Sequence, residues 1–261
     1  MKERVITGII ILILFMIPFY IGAFWFTYLA MVLAIIAFHE LTTIIKIRKY
    51  GTKYFVGLAG IVLLFLPLLP FLNVTFEIIQ IKVLLALVLF FLTSTVFNIE
   101  YSIEKAGTLL IGVLYIGFGF VFLAEARIDE GLIWTLAVLI SIWATDSGAY
   151  FVGRKFGKTK LAEKVSPNKT IEGSIGGIII ALIIGLIMQM SFQPFDNYGE
   201  TVLLILVVSI AGQVGDLVES ALKRHFKVKD SGKLLPGHGG ILDRLDSWIF
   251  VFIGLKLIGL I

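Results

Sequence analysis

The sequence predicts an all-α, polytopic integral membrane protein of about nine transmembrane helices, with the N-terminus in the cytoplasm. Its hydrophobic share is 59% and its charged share only 15%, whereas soluble domains average about 45–50% and about 25%. The apolar residues are grouped in runs of roughly 17–22, long enough to cross a hydrocarbon core of about 30 Å as helices. Transmembrane β-strands would read as short alternating segments instead.

Nine apolar runs are candidate spans. The first follows Lys2 and Arg4 and could be a cleaved signal peptide, but bulky residues and no small-residue cleavage pattern come next. We therefore expect a retained first span. Pro67 and Pro70 are expected to end the third run. The runs lie at 5–21, 23–45, 55–72, 81–98, 108–125, 131–150, 173–190, 200–220 and 244–261.

Basic residues predict the orientation, because the cytoplasmic loops of membrane proteins are enriched in Lys and Arg. With the N-terminus inside, 19 of the 22 basic residues fall on the cytoplasmic side, and only Lys82, Arg127 and Lys256 fall outside. If the number of spans were wrong by one, the basic residues would no longer fall mostly on one side of the membrane. The charges therefore support an odd number of spans.

We expect one membrane domain, 1–261, with an N-terminal helical part (1–100) and a catalytic part (101–261). Two long cytoplasmic loops, 151–172 and 221–243, carry most of the polar chemistry. The chain has no cysteine, which excludes disulfides, thiolate catalysis and cysteine-based zinc sites.

Acidic residues enter the membrane boundary at the end of the eighth run and the start of the ninth. Asp216, Glu219 and Lys223 share one helical face with Ser220. Such a face requires a protein interior or a hydrated cavity, because charges are costly in lipid. Asp243 opens the ninth run, three residues before Asp246.

Carboxylate oxygens of this kind suit magnesium, which typically takes one or two carboxylates together with substrate phosphates. The loop between the two runs adds cations suited to phosphate and a glycine-rich turn, Pro236–Gly240, whose backbone N–H groups could approach an anion. We therefore predict a site for a polyanion and a metal. The cations are Lys223, Arg224, Lys227, Lys229 and Lys233.

Simpler interpretations stay open. The lysines also satisfy the positive-inside bias, Asp243 could cap its helix, and Asp216 could pair with Lys223. Within the second run, His39 and Glu40 either line a cavity or pair with each other, and pairing is the prediction.

The loop at 151–172 is the second candidate anion site. Asp146 lies near the end of the sixth run, and Ser166 or Thr170 is expected to cap the seventh helix with Lys169 at its N-terminus. Capping combined with the positive-inside bias is the alternative explanation for this segment.

Two stretches of the sequence closely resemble a known family. They are Ser220-Ala221-Leu222-Lys223-Arg224 with Lys229-Asp230-Ser231-Gly232 and Leu235-Pro236-Gly237-His238-Gly239-Gly240-Ile241-Leu242-Asp243-Arg244-Leu245-Asp246, and upstream Asp146-Ser147 with Ser166-Pro167-Asn168-Lys169-Thr170-Ile171-Glu172-Gly173. This pattern resembles the phosphatidate cytidylyltransferases, also called CDP-diacylglycerol synthases. Asn168 stands where that family often has lysine.

The resemblance implies that CTP and phosphatidate react to CDP-diacylglycerol and pyrophosphate, with magnesium on Asp216 and Asp243. A second metal ion is an open alternative. It also implies a homodimer in a lipid bilayer, in a bacterial plasma (inner) membrane with the active site facing the cytoplasm, and no nucleic-acid partner. Lys223, Arg224 and Arg244 are expected to neutralise phosphate. The expected substrate-binding residues are Asp146, Ser166, Lys169, Thr170, Glu172, Ser220, Lys229, Asp230, His238, Gly239, Gly240 and Asp246.

Two rival functions remain at this point. Another CTP-dependent membrane lipid enzyme, such as a lipid-alcohol kinase or an ether-lipid cytidylyltransferase, would use the same metal–phosphate chemistry. A solute transporter would also place charges in its spans, but here the charges are grouped at one end of the runs rather than at mid-membrane.

Overall fold

The structure is a computed structural model that describes residues 2–47, 51–69, 76–97, 101–235, 237 and 239–261. Nine α-helices in this part of the chain match the nine predicted runs in order. A two-stranded hairpin lies between the sixth and seventh helices. The elements are α1 (Lys2–Ile21), α2 (Ala23–Ile44), α3 (Thr52–Phe65), α4 (Phe76–Phe97), α5 (Ile103–Asp129), α6 (Gly131–Phe156), β1 (Lys160–Ala162), β2 (Ser166–Thr170), α7 (Ile171–Phe192), α8 (Tyr198–His225) and α9 (Leu242–Leu257).

Six helices within the described residues are long and apolar enough to cross a membrane: α2, α4, α5, α6, α7 and α8. The protein is therefore a helical integral membrane protein. Two further apolar segments are shorter, Leu12–Ile21 and Thr52–Leu68, and α9 has 16 residues. As predicted, Pro67 follows the end of α3, within a short 3-10 turn. Pro70 lies outside the described residues.

The chain divides into two compact units, 1–125 with 228–244 and 126–227 with 245–261.

In the first unit α3 packs against α2 and α4. Gly57 of α3 faces Phe38 of α2, where an added Cβ would meet the Phe38 ring at 2.5 Å. Phe38, Leu64 and Phe65 are all fully buried, so aromatic and branched side chains form this core.

In the second unit α6 packs along most of α7. A Cβ on Gly177 would lie 2.6 Å from the backbone oxygen of Thr145, and one on Gly176 would lie 2.5 Å from Val152. Glycine therefore permits close packing of α6 against α7 at these positions. Thr145 also contacts α8, where its hydroxyl lies 2.9 Å from that of Ser209. These contacts fix α6 against α7 and α8 near Asp146.

The β1–β2 hairpin departs from the all-α prediction. Its strands pair antiparallel, with Lys160 opposite Thr170 and Ala162 opposite Ser166. They have three and five residues and are mostly polar, so they lack the apolar alternation that identifies a strand in sequence. The predicted loops are also shorter than expected, because α6 continues to Phe156 and α8 to His225.

Candidate active site

In the first unit, one carboxylate caps the start of α9. Glu40 of α2 accepts hydrogen bonds from the backbone N–H groups of Ile241 (3.0 Å) and Leu242 (2.9 Å) and from the Ser231 hydroxyl (3.1 Å). Its residue is 6% exposed. A carboxylate is stabilised there because helix N-termini carry unsatisfied N–H groups and the positive end of the helix dipole. Glu40 therefore fixes where α9 begins.

Asp243, in the first turn of α9, is held by the same loop. Its Oδ2 atom accepts hydrogen bonds from Ser231 N (2.8 Å), the Ser231 hydroxyl (2.9 Å) and Gly240 N (2.8 Å). The N–H of Asp243 in turn donates to the Ser231 oxygen at 3.2 Å. We call Glu40, Ser231, Gly240 and Asp243 the α9-start cluster. Its hydrogen bonds fix the orientation of the Asp243 carboxylate.

The glycine-rich turn is required by these close approaches. A Cβ on Gly240 would collide with Ser231 Oγ and Glu40 Oε2, and one on Gly239 would lie 2.7 Å from Asp243 Oδ2. Gly239 also has a φ of +88°, a conformation that glycine adopts without a steric penalty. The Gly240 N–H does approach an anion, as the sequence suggested, and that anion is the protein's own Asp243 carboxylate.

A cavity of about 660 Å³ adjoins the α9-start cluster within the first unit. The C-terminal half of α2 and the loop 228–234 line it. Its lining includes His39, Glu40, Lys229, Asp230, Ser231 and Lys233. His39 Nδ1 lies 3.2 Å from the Tyr54 hydroxyl, and Glu40 bonds the α9-start cluster. The predicted His39–Glu40 pair is therefore wrong, and the alternative, that both residues line a cavity, is correct.

In the second unit, Asp216 of α8 forms an ion pair with Lys169 of β2. Lys169 Nζ lies 2.5 Å from Asp216 Oδ2, and the Ser220 hydroxyl lies 3.4 Å from Oδ1. Both charged side chains are partly exposed, 26% for Lys169 and 37% for Asp216. The pair is thus open to a ligand that competes for either charge.

Two further carboxylates interact with Asp216. Asp146 of α6 is repelled by Asp216 and attracted by Lys169. Asp246 of α9 is repelled by both Asp216 and Asp146 and is 6% exposed. A Cβ on Gly215 would lie 3.0 Å from the Asp246 backbone oxygen, so α8 and α9 are in close contact here. We call Asp146, Lys169, Asp216 and Asp246 the Asp216 cluster.

Hydrogen bonds at its ends hold the β1–β2 hairpin and thereby position Lys169. Thr170 is the N-cap of α7, where its hydroxyl accepts a hydrogen bond from Gly173 N at 3.1 Å, as predicted. Glu172, in the first turn, accepts from the backbone N–H groups of Lys158 and Thr159. Arg224 donates from Nε to the Val165 carbonyl at 3.3 Å. The hairpin is thereby bonded at both ends, and Ser166 lies at the start of β2.

The predicted Asp216–Lys223 alternative is wrong, since Lys223 Nζ pairs with Glu219 at 2.5 Å.

The predicted site residues fall into both units. Asp146, Ser166, Lys169, Thr170, Glu172, Asp216, Ser220, Lys223, Arg224 and Asp246 belong to the second, and Lys229, Asp230, Gly239, Gly240, Asp243 and Arg244 to the first. Arg244 is exposed on the first turn of α9, and His238 lies outside the described residues.

Sequence reasoning missed the roles of Glu40 and Ser231. Local spacing predicts a His39 partner for Glu40, and Ser231 is only one position in the family pattern. A buried acid in an apolar run does signal a polar partner, but the partner of Glu40 lies 201 positions further along the chain. No local pattern identifies such a contact.

The carboxylate oxygens of the two clusters are ligands of the type that magnesium prefers. Within the described ranges, no three His, Cys, Asp or Glu side chains lie close enough together to hold a metal ion by themselves. Magnesium often needs only one or two carboxylates, because water and substrate phosphates complete its shell. The carboxylate donors therefore fit magnesium whose remaining ligands are water and substrate phosphates.

Comparison with known proteins gives a consistent result. A sequence model described as "Cytidylyltransferase family" matches residues 2–260. A Bacillus subtilis protein named phosphatidate cytidylyltransferase is 43% identical over 257 residues, which is 96% of this chain and 94% of the relative. Proteins of the same name from Staphylococcus epidermidis (RP62A) and Staphylococcus aureus (COL) are 41% and 42% identical over 252 and 254 residues, each 96% of both chains. The chain belongs to the cytidylyltransferase family.

Proposed function

We propose that the protein transfers a cytidylyl group from CTP to phosphatidate, giving CDP-diacylglycerol and pyrophosphate. The observation that carries the proposal is the similarity, over almost the whole chain, to relatives with that activity in their name. The two candidate clusters add the required chemistry, because both combine carboxylates with cationic residues nearby. No observation favours a lipid-alcohol kinase or a transporter.

The reaction is a displacement at phosphorus. An oxygen of the lipid phosphate attacks the α-phosphorus of CTP and forms a new P–O bond. The bond from the α-phosphorus to the bridging oxygen breaks, and pyrophosphate leaves with its electron pair. Both reactants are anions, so the main task is to neutralise charge. The lipid phosphate is already an anionic nucleophile, so the reaction needs no strong general base and no covalent enzyme intermediate.

The Asp216 cluster is suited to the nucleotide phosphates. Lys169 is held by the hairpin beside Asp216, and its ammonium group is partly exposed. We assign Lys169, Lys223 and Arg224 to charge neutralisation along the triphosphate, with Arg244 in the same role from the start of α9. Ser166, Thr170 and Glu172 shape the hairpin that presents Lys169.

We assign magnesium binding to Asp216 and Asp243, together with substrate phosphates. The bound ion would supply Lewis-acid polarisation of the phosphates and neutralise developing charge. The support on the protein side is the oxygen chemistry of both residues and the rigid hold on Asp243 by Ser231 and Gly240. Lys169 counters the charge of Asp216.

The direct test is to incubate the purified protein with CTP, phosphatidate and magnesium and to identify the lipid product by mass spectrometry. CDP-diacylglycerol with pyrophosphate supports the proposal, whereas release of CDP supports a kinase. Solute flux into liposomes without CTP consumption supports a transporter. Asp216→Asn and Asp243→Asn, assayed across a magnesium titration, test the metal assignment. Near-normal turnover and metal dependence in both variants would refute it.

We further propose nine spans, with the N-terminus and the active site facing the cytoplasm of a bacterial cell. The support is the concentration of basic residues on one side. Because the chain contains no cysteine, single cysteines give a clean topology test. Lys164→Cys should react with a membrane-impermeant maleimide only after the membrane is opened, and Asp196→Cys should react in intact cells.

We also propose that the protein is a homodimer in the membrane, on the basis of the family resemblance. Native mass spectrometry from detergent, at protein concentrations that span two orders of magnitude, tests this state. A species of twice the chain mass of 28.9 kDa supports the dimer, and a monomer at every concentration contradicts it.

A further inference from the structure

The cavity beside the α9-start cluster has an amphipathic lining. Its volume of about 660 Å³ lies within the range of about 300–1,000 Å³ that is typical of small-molecule sites. Ile36 and Ile44 of α2 and Leu234 of the loop provide apolar surface, while Lys229 and Lys233 provide positive charge. An occupant that matches this lining has an anionic head and an apolar body.

The two lysines are available to a ligand. Among the described residues, no carboxylate lies within ion-pair distance of either ammonium group, although Asp230 stands between them in the chain. Both residues are exposed. A phosphate monoester carries about −1.5 to −2 charges at neutral pH, so two lysines match the charge of one such group.

One residue of the cavity wall is hydrogen-bonded to Asp243, a predicted catalytic residue. Ser231 lines the cavity, and both its N–H and its hydroxyl bond the Asp243 carboxylate. Glu40 also lines the cavity, but its oxygens are occupied by Ile241, Leu242 and Ser231. Its negative charge therefore faces α9. The exposed Asp230 also lines the cavity and offsets part of the positive charge, and Lys229 and Lys233 are the groups that attract an anion.

The cavity also lies where a lipid would be presented. Its apolar wall belongs to α2, which is long and apolar enough to span the membrane, and its polar wall belongs to the predicted cytoplasmic loop 228–234. A nucleoside triphosphate carries more negative charge and no acyl chain, so it matches this lining poorly. A two-chain phosphate monoester matches it well.

We infer that this cavity binds the lipid substrate, with the phosphate monoester at Lys229 and Lys233 and the start of an acyl chain against Ile36, Ile44 and Leu234. The inference rests on the proposed function for the identity of the lipid, and it assigns the lipid-phosphate subsite to the cavity. The shared ligand chemistry is a phosphate anion, so the tests below distinguish lipid phosphate from nucleotide phosphate.

The first test compares Michaelis constants in detergent micelles. Lys229→Gln and Lys233→Gln should each raise KM for phosphatidate about tenfold, the loss expected for one charge-assisted contact, and leave KM for CTP within about twofold. Lys164→Gln is the matched control, because this exposed lysine lies in the turn between β1 and β2. It should change neither constant.

The acyl-chain part is tested at Ile36. Ile36→Trp narrows the cavity next to α2, so it should raise KM for dioleoyl phosphatidate while KM for dihexanoyl phosphatidate stays close to that of the native chain. Equal effects on both lipids would show that the apolar wall does not contact an acyl chain, which would overturn that half of the inference.

A second measurement uses the native chain and so avoids any folding defect of the variants. Lysine acetylation with a water-soluble reagent is mapped by mass spectrometry, without turnover. Phosphatidate should protect Lys229 and Lys233, whereas phosphatidylcholine should not, and Lys164 should react equally throughout. Protection by CTP instead of phosphatidate, or a higher KM for CTP alone, would place the nucleotide here and overturn the inference.

The proposed function has its own readout, the lipid product of the native chain. If the native chain makes no CDP-diacylglycerol, the proposed function fails, whereas the protection experiment still reports whether a lipid phosphate occupies the cavity. If the product forms but no lysine is protected and no KM changes, only the cavity assignment fails.

Discussion

Glu40 and Asp243 share one hydrogen-bonding partner, the hydroxyl of Ser231. The Ser231 oxygen lies 3.1 Å from Glu40 Oε2 and 2.9 Å from Asp243 Oδ2. A hydroxyl has one proton to donate, so at any moment it donates to one of these carboxylates, while its oxygen accepts from Asp243 N. A buried residue of α2 thus holds a predicted catalytic carboxylate in place through one serine.

The first prediction concerns Glu40→Gln. The glutamine side chain keeps one of the two acceptor oxygens of Glu40 and replaces the other with an NH₂ group. Because an NH₂ group cannot accept a hydrogen bond, at least one of the buried donors that bond Glu40 is left unsatisfied. We expect a loss of about 2–3 kcal/mol of unfolding free energy, measured by thermal unfolding in detergent. Hydrogen exchange at Ile241 or Leu242 should also accelerate, because one of these N–H groups loses its acceptor.

Glu163→Gln is the control for this variant, since it removes an acid from an exposed turn. It should leave both the stability and the exchange rates unchanged. Wild-type protection of Ile241 and Leu242 in Glu40→Gln would contradict the positioning role, even if turnover fell.

The sequence predicted the order of the helices, because each apolar run has the length of a membrane span and glycine, proline or charged residues end it. It also placed Asp243 at a helix start and Thr170 at an N-cap, since these are local patterns. Asp216, predicted at the end of the eighth run, lies inside α8 because that helix continues to His225. The β1–β2 hairpin was missed because its strands are short and polar.

The pairing of charges could not be derived from sequence. Lys223 lies on the Asp216 face, but it bonds Glu219 at the i,i+4 position, which aligns best within one helix. Asp216 is paired with Lys169 instead, across two elements. Glu40 bonds residues about 200 positions away. Such choices depend on tertiary packing, which no local spacing encodes.

The second prediction concerns Gly240→Ala. An added Cβ would collide with both Ser231 Oγ and Glu40 Oε2, so the α9-start cluster must open. We expect a destabilisation of about 2–4 kcal/mol and a loss of turnover that exceeds the loss of folded protein. Gly107→Ala is the control, because its added Cβ would meet no side chain and no other segment within 4 Å. Equal melting temperatures for the two variants would contradict the close packing.

The third prediction concerns the Lys169–Asp216 pair. Lys169→Gln should lower kcat/KM for CTP on the order of 10²-fold, because an aligned cation near the reacting phosphates is removed. The global stability should change by less than about 1 kcal/mol, since the pair is partly exposed. Initial rates at varied CTP, together with thermal unfolding, measure the two effects. Lys164→Gln should behave like the native chain, and an equally large loss there would assign the effect to net charge alone.

The last prediction concerns pH and the turn between α5 and α6. Partial burial and the negative charges of Asp129, Glu200 and Asp196 raise the pKa of Glu130 above its usual range. The folded state therefore holds this proton more tightly than the unfolded state does, and stability is lost as the pH rises from the unfolded pKa through the folded pKa. Glu130→Gln removes the repulsion, so it should raise the melting temperature at about pH 7, and the gain should vanish near pH 3, below the unfolded pKa, where the native carboxyl is protonated in both states. Thermal unfolding of both proteins across this range measures the difference.

Because the groups around Glu130 are largely exposed, high salt should reduce the gain in melting temperature at neutral pH. A gain that is independent of both pH and salt would show that the glutamate acts through packing rather than charge.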